Sequence, residues 1–190
     1  MLGPDGRPGD PPLTEKGHRQ AYLAAQRVAR EGLDVLYCGP LLRNLQTAVH
    51  IYEATGIRPV LMPYVFEVGA NNMLWPPDAI TRQFPMVHLE NGWRGWRQAM
   101  PETFEQACQR IAHIHQWLRE RHETSEARVG VITHGTLNDL LIGVCLGMTP
   151  GSHARFSSAN CAFHWLEMRP QIAKLIRLND LCHLPDTDQS

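Results

Sequence analysis

Short apolar runs without polar alternation, separated by stretches of helical spacing, dictate most of what this chain can become. Val35-Leu36-Tyr37-Cys38, Val60-Leu61-Met62 and Val129-Gly130-Val131-Ile132-Thr133 are such runs. Strands of this kind are covered on both faces, which is the situation in a parallel sheet. Between them, Thr14 is placed to cap a helix reaching about Glu31, with Gly32 to end it and Ala21, Ala25, Val28 and Ala29 as a stripe of mostly small residues. Leu41, Leu42, Leu45, Ala48, Val49 and Tyr52 repeat at helical spacing up to Gly56, with Pro40 suited to the first turn. Further helices are expected from about Glu102 to Arg121 and from His134 to Leu146. Ala162 to Met168 and Ile172 to Leu178 read as a hairpin across Arg169-Pro170-Gln171. The alternation predicts an α/β fold, a three-layer α/β/α sandwich with a largely parallel sheet.

The 190 residues suit one domain, and 43% apolar residues supply its core. Eighteen basic residues against 19 acidic ones leave no basic excess, so neither nucleic acid nor a membrane surface is an expected partner. The five cysteines are scattered, with no CxxC pair, as in a cytoplasmic protein with reduced thiols. The longest purely apolar run, Leu140 to Leu146, is seven residues, far short of a membrane span. No signal peptide is recognisable at Met1. Residues 1–12 have loop composition, and 63–101, with five prolines and three tryptophans, reads as a long lid or substrate loop.

Ligands of parallel sheets bind where strands end and helices begin. His134 follows the Val129–Thr133 run directly, and the free N–H groups of the next helix favour an anion such as phosphate. Gly135 lets a ligand approach the backbone there. Arg43 lies one turn into the helix that follows Val35–Cys38. Its planar guanidinium can hold a phosphoryl group through two hydrogen bonds. If the strands are parallel, both residues fall on one edge of the sheet. Trp93 and Trp96, with Arg94 and Arg97, form either a rim over the pocket or an anchor for the long loop. His113 and His115 are two apart on one helix and cannot share a metal from one face. Cys161, His164, Cys182 and His183 fit no common zinc spacing. No metal or cofactor is expected.

The order of these segments resembles the histidine phosphatase superfamily, the phosphoglycerate-mutase-like fold. The resemblance rests on Pro12-Leu13-Thr14 with Gly17, Gln20 and Ala21, on Pro40-Leu41-Leu42-Arg43 with Gln46-Thr47-Ala48, on Thr133-His134-Gly135, and on Asn160-Cys161. It implies that Arg43 clamps the phosphoryl group and that His134 steadies the phosphoryl oxygens. It also implies that Glu67, 24 positions after Arg43, protonates the leaving oxygen and then activates water; the alternative for Glu67 is a solvated loop carboxylate. The implied activity is that of a phosphomonoester phosphatase working through a phosphohistidine on a small phosphorylated substrate, without a metal.

The family's nucleophile is the histidine of an Arg-His-Gly tripeptide that ends its first, central strand. No such tripeptide occurs in the 190 residues. Arg121-His122-Glu123 comes nearest, but it closes a helix ahead of a strand, on the wrong side of the sheet. Met1 falls in the loop that follows that strand in relatives. The resemblance therefore predicts a fold lacking the first strand, and a start codon upstream that supplies it. The chain as given would then be inactive, or serve as a phosphate-binding module without catalysis.

Overall fold

The computed structural model describes residues 10–69, 75–89, 102–149 and 155–189. In chain order the elements are α1 (Glu15–Glu31), β1 (Val35–Cys38), α2 (Leu42–Thr55), β2 (Val60–Leu61), α3 (Pro77–Gln83), β3 (His88–Leu89), α4 (Phe104–His122), β4 (Val129–Ile132), α5 (Gly135–Cys145), β5 (Phe163–Arg169) and β6 (Ile172–Asp180). Among the described residues four strands form one sheet in the order β3-β2-β1-β4, all parallel. The fold is the expected α/β sandwich. β5 and β6 pair antiparallel as the expected hairpin, but they form a sheet of their own.

The three layers follow from the period of β1. Leu36 turns to one face of the sheet and packs with Ala25 and Val28 of α1 and Ile51 of α2. Tyr37 turns to the other, against Ile111 and Ile114 of α4 and Leu137, Leu140 and Leu141 of α5. Cys38 returns to the first face with Leu45 and Ala48. The buried small residues Ala21, Ala24 and Ala25 let α1 lie close against α2. Thr14 caps α1 by accepting from the Gly17 N–H at 3.1 Å, and Gly56, left-handed at φ 74°, closes α2. Thr103 and Gln106 form a capping box at the start of α4, slightly later than the sequence pattern indicates.

The stretch 63–101 is not irregular throughout. α3 and β3 lie within it, β3 pairs with β2, and the His88 N–H donates to the Pro59 carbonyl at 2.8 Å. A seven-residue helix and a two-residue strand are too short to show a period in the sequence. Trp75 sits against Phe84 with ring centroids 6.4 Å apart. Trp93, Trp96 and the remainder of the expected lid lie outside the described residues, as do residues 1–9 of the expected leading loop.

Among the described glycines, Gly39 in the turn after β1 leaves the least room for a side chain. A Cβ on Gly39 would stand 2.0 Å from the Val65 carbonyl oxygen and 2.7 Å from Asn44 Nδ2. The Gly39 N–H also donates to the Ile132 carbonyl at 3.2 Å, which ties the end of β1 to the end of β4. On α1, Arg27 is 1% exposed and donates to Glu31 at 2.9 Å and to Asp180 of β6 at 2.7 Å. Its guanidinium also lies 4.4 Å over the Phe163 ring, so it joins α1 to the hairpin.

Candidate active site

Parallel pairing of β1 and β4 places their C-terminal ends side by side, with Cys38 opposite Ile132. The residues that follow each strand therefore meet. Arg43, in the first turn of α2, donates from Nη2 to His134 Nδ1 at 3.1 Å. His134 is the N-cap residue of α5, and its carbonyl accepts from the Asn138 N–H at 2.8 Å. Asn44, buried beside Arg43, donates from Nδ2 to the Ile132 carbonyl at 3.0 Å and keeps α2 in register with β4.

The contact between Arg43 and His134 fixes the imidazole. A guanidinium only donates, so Nδ1 is the acceptor and the proton of the neutral ring sits on Nε2. That Nε2 is buried and, among the described residues, has no hydrogen-bond partner. Such a donor costs about 1–3 kcal/mol when left unmade, which a folded protein tolerates where a ligand can complete it. Burial, followed by the nearby charges of Arg43 and Arg110, pushes the His134 pKa down to about 3.

Glu67 reaches the same place from the segment after β2. Its Oε2 accepts from the Thr136 N–H at 3.3 Å and its Oε1 from the Leu137 N–H at 3.2 Å and the Val68 N–H at 2.9 Å. The N-terminus of α5, expected to favour an anion such as phosphate, holds one of the protein's own carboxylates. Helix dipole and free N–H groups explain the choice. Among the described residues the Gly135 N–H remains without a partner, and open space surrounds the position of a Gly135 Cβ.

Asp10 completes the arrangement, and nothing in the periodicity of the sequence points to it. Both its carboxylate oxygens accept from the Leu42 N–H, at 3.0 and 2.8 Å, and Oδ1 stands 3.7 Å from Arg43 Nη1. Burial raises the Asp10 pKa, opposed by the Leu42 N–H, Arg43 and Trp75. Burial lowers that of Arg43, opposed by Asp10 and Glu67. Arg43 and His134 thus meet directly, Glu67 and Gly135 border them, and Asp10 supports Arg43 from behind.

The His134 environment carries a stability consequence. A histidine that titrates near 6.5 when unfolded and near 3 when folded leaves the unfolded chain holding more protons in between. Stability from this group is complete above pH 6.5 and falls away as pH drops towards 3. Between pH 8 and pH 5 the expected loss is about 2 kcal/mol from His134 alone. Urea denaturation at both pH values checks this, since His134→Gln should remove about that much of the difference.

The chain and its fold have counterparts among known proteins. The model of the histidine phosphatase superfamily (branch 1) matches residues 4–181. Phosphoserine phosphatase 1 of Hydrogenobacter thermophilus is 26% identical over 182 residues, spanning 92% of this chain and 83% of that protein. The Yersinia enterocolitica protein named "Probable phosphoglycerate mutase GpmB" is 28% identical over 156 residues, 80% of this chain and 72% of that one. In structure, the ecdysone phosphate phosphatase of Bombix mori in complex with tungstate superposes with a TM-score of 0.69 at 17% identity, covering 95% of this chain and 78% of that one. A match over residues 4–181, on a fold that brings Arg43 to His134, shows that the chain belongs to branch 1 of the histidine phosphatase superfamily.

Proposed function

We propose that Arg43, His134 and Gly135 bind the phosphoryl group of a small phosphomonoester, and that Glu67 manages the proton during its hydrolysis. The observation that carries this reading is His134, held by the Arg43 guanidinium through Nδ1 while its buried Nε2–H has no partner among the described residues. Three donors lie at this strand end for a tetrahedral oxyanion: the Arg43 fork, the Gly135 amide and the imidazole N–H. The imidazole N–H points away from Arg43 and joins the other two when the ligand displaces the Arg43–His134 contact and the ring turns. Positive side chains and dipoles of this kind stabilise phosphoryl transfer without a metal.

In the proposed reaction a histidine nitrogen attacks phosphorus, the bond from phosphorus to the ester oxygen breaks, and the leaving alkoxide takes a proton from Glu67. Water then attacks the phosphohistidine, gives its proton to Glu67 and releases phosphate, so that one ester and one water become one alcohol and one phosphate. The nucleophilic histidine of an Arg-His-Gly tripeptide is not among the 190 residues. Catalysis is therefore assigned to a form of the protein that carries it. A second reading is a phosphate-binding module without catalysis. The relatives' names extend to phosphoserine phosphatase, so a phosphorylated hydroxy amino acid belongs among the substrates to try.

Phosphate release from an aryl phosphate, measured for this chain and for one extended by an Arg-His-Gly strand, separates the two readings. Activity of the extended form alone, lost in Glu67→Gln, supports the phosphatase. An inactive extended form, with phosphate still bound by the short one, supports the binding module.

A further inference from the structure

We propose that Arg110 is a positioning residue: from α4 it fixes the segment that carries Glu67, and so sets where that carboxylate stands on α5. Its guanidinium donates from Nη1 to the carbonyls of Tyr64 at 2.7 Å and Phe66 at 3.1 Å, bracketing Val65. It lies 3.9 Å over the Phe66 ring. From Nε and Nη2 it donates to both oxygens of Glu102, at 2.7 and 2.8 Å. The side chains of Arg110 and Glu102 are each 9% exposed.

Two carbonyls and a carboxylate thus share one planar fork, which a lysine cannot imitate. The geometry holds three consecutive residues, and the next one is Glu67. Its bonds to the Thr136 and Leu137 N–H groups are long, at 3.3 and 3.2 Å, so they are weak anchors by themselves. Position must come from the backbone behind them, and Arg110 holds that backbone. Since α4 also packs against α5, the carboxylate and the amides it meets are referred to one rigid pair of helices.

The functional weight of this inference rests on the phosphoryl-pocket reading above; its geometric part does not. A double-mutant cycle of Arg110→Met and Glu67→Ala, read by amide hydrogen exchange at Thr136 and Leu137, tests it on the 190-residue chain. Both single variants are expected to lose protection at these two amides by roughly tenfold, and the double variant no more than either. A folded Arg110→Met with both amides protected as before overturns the proposal, as do losses that simply multiply. If Arg110→Met does not fold, Glu102→Gln, which loosens the fork and keeps the arginine, takes its place in the cycle. Titration with inorganic phosphate runs alongside. If the wild-type chain binds none, the phosphoryl reading fails while the exchange cycle still decides the role of Arg110.

Discussion

Replacing Gly39 with alanine is expected to destabilise the fold by about 3 kcal/mol or more, read as a shift of the urea midpoint at unchanged m-value. The added Cβ would lie 2.0 Å from the Val65 carbonyl oxygen, far inside any real contact. That oxygen is backbone of a fully buried residue, so it cannot swing aside as a side-chain end does. Asn44 Nδ2, at 2.7 Å, is also in the way, and moving it breaks its bond to the Ile132 carbonyl. Overpacking accounts for roughly 1–3 kcal/mol and the lost buried hydrogen bond for a further 1–3 kcal/mol. Glu67 lies two residues beyond the displaced carbonyl, so whatever fraction folds should hold it less firmly. A variant as stable as the parent would mean that β1 and the Val65 segment do not approach each other in this way.

Replacing Arg43 with alanine is expected to weaken binding of inorganic phosphate or orthovanadate by roughly 100-fold, with the fold kept. Two charge-assisted hydrogen bonds to an oxyanion, each contributing about 1.5–3 kcal/mol, more than cover the 2.7 kcal/mol that this factor represents. The side chain is 30% exposed, so its removal opens no core cavity. Arg43→Lys keeps the charge and loses the fork, and should fall near tenfold. Removing Arg43 also frees His134 Nδ1 and takes away one of the charges that hold its pKa low, so His134 should protonate more easily. Isothermal titration with phosphate at pH 8 measures the affinity before that protonation intervenes. Unchanged affinity in Arg43→Ala would remove the guanidinium from the site.

Much of this was open to reading in the amino acids. The buried run Val35–Cys38 is β1 to the residue, its consecutive apolar side chains alternating between two covered faces of the sheet. Arg43 and His134 were readable as strand-end residues because parallel pairing brings such ends together. The start of α2 was less legible. Pro40 was expected in its first turn, yet the helix begins at Leu42 and its N-cap residue, Leu41, offers no side-chain acceptor. The cap comes from Asp10, 32 residues earlier, and no local pattern records a partner at that distance. Glu67 on the α5 amides is a meeting of the same kind, 69 and 70 residues apart in sequence. Short-range periodicity reports elements; it does not report which side chain from elsewhere completes their ends.

Arg27 has a bearing on how the molecule comes apart. Its guanidinium is buried between Glu31 on its own helix and Asp180, 153 residues later on the hairpin. A partly unfolded form that kept α1 on the sheet and released β5 and β6 would take Asp180 and the Phe163 ring away from that charge. Losing the charge-assisted bond to Asp180 costs about 1.5–3 kcal/mol, a sizeable share of a domain's whole stability. Release of the hairpin alone is thereby disfavoured. Although among the described residues the hairpin shares no ladder with the four-stranded sheet, the two should melt in one transition, with α1 one of the elements that join them.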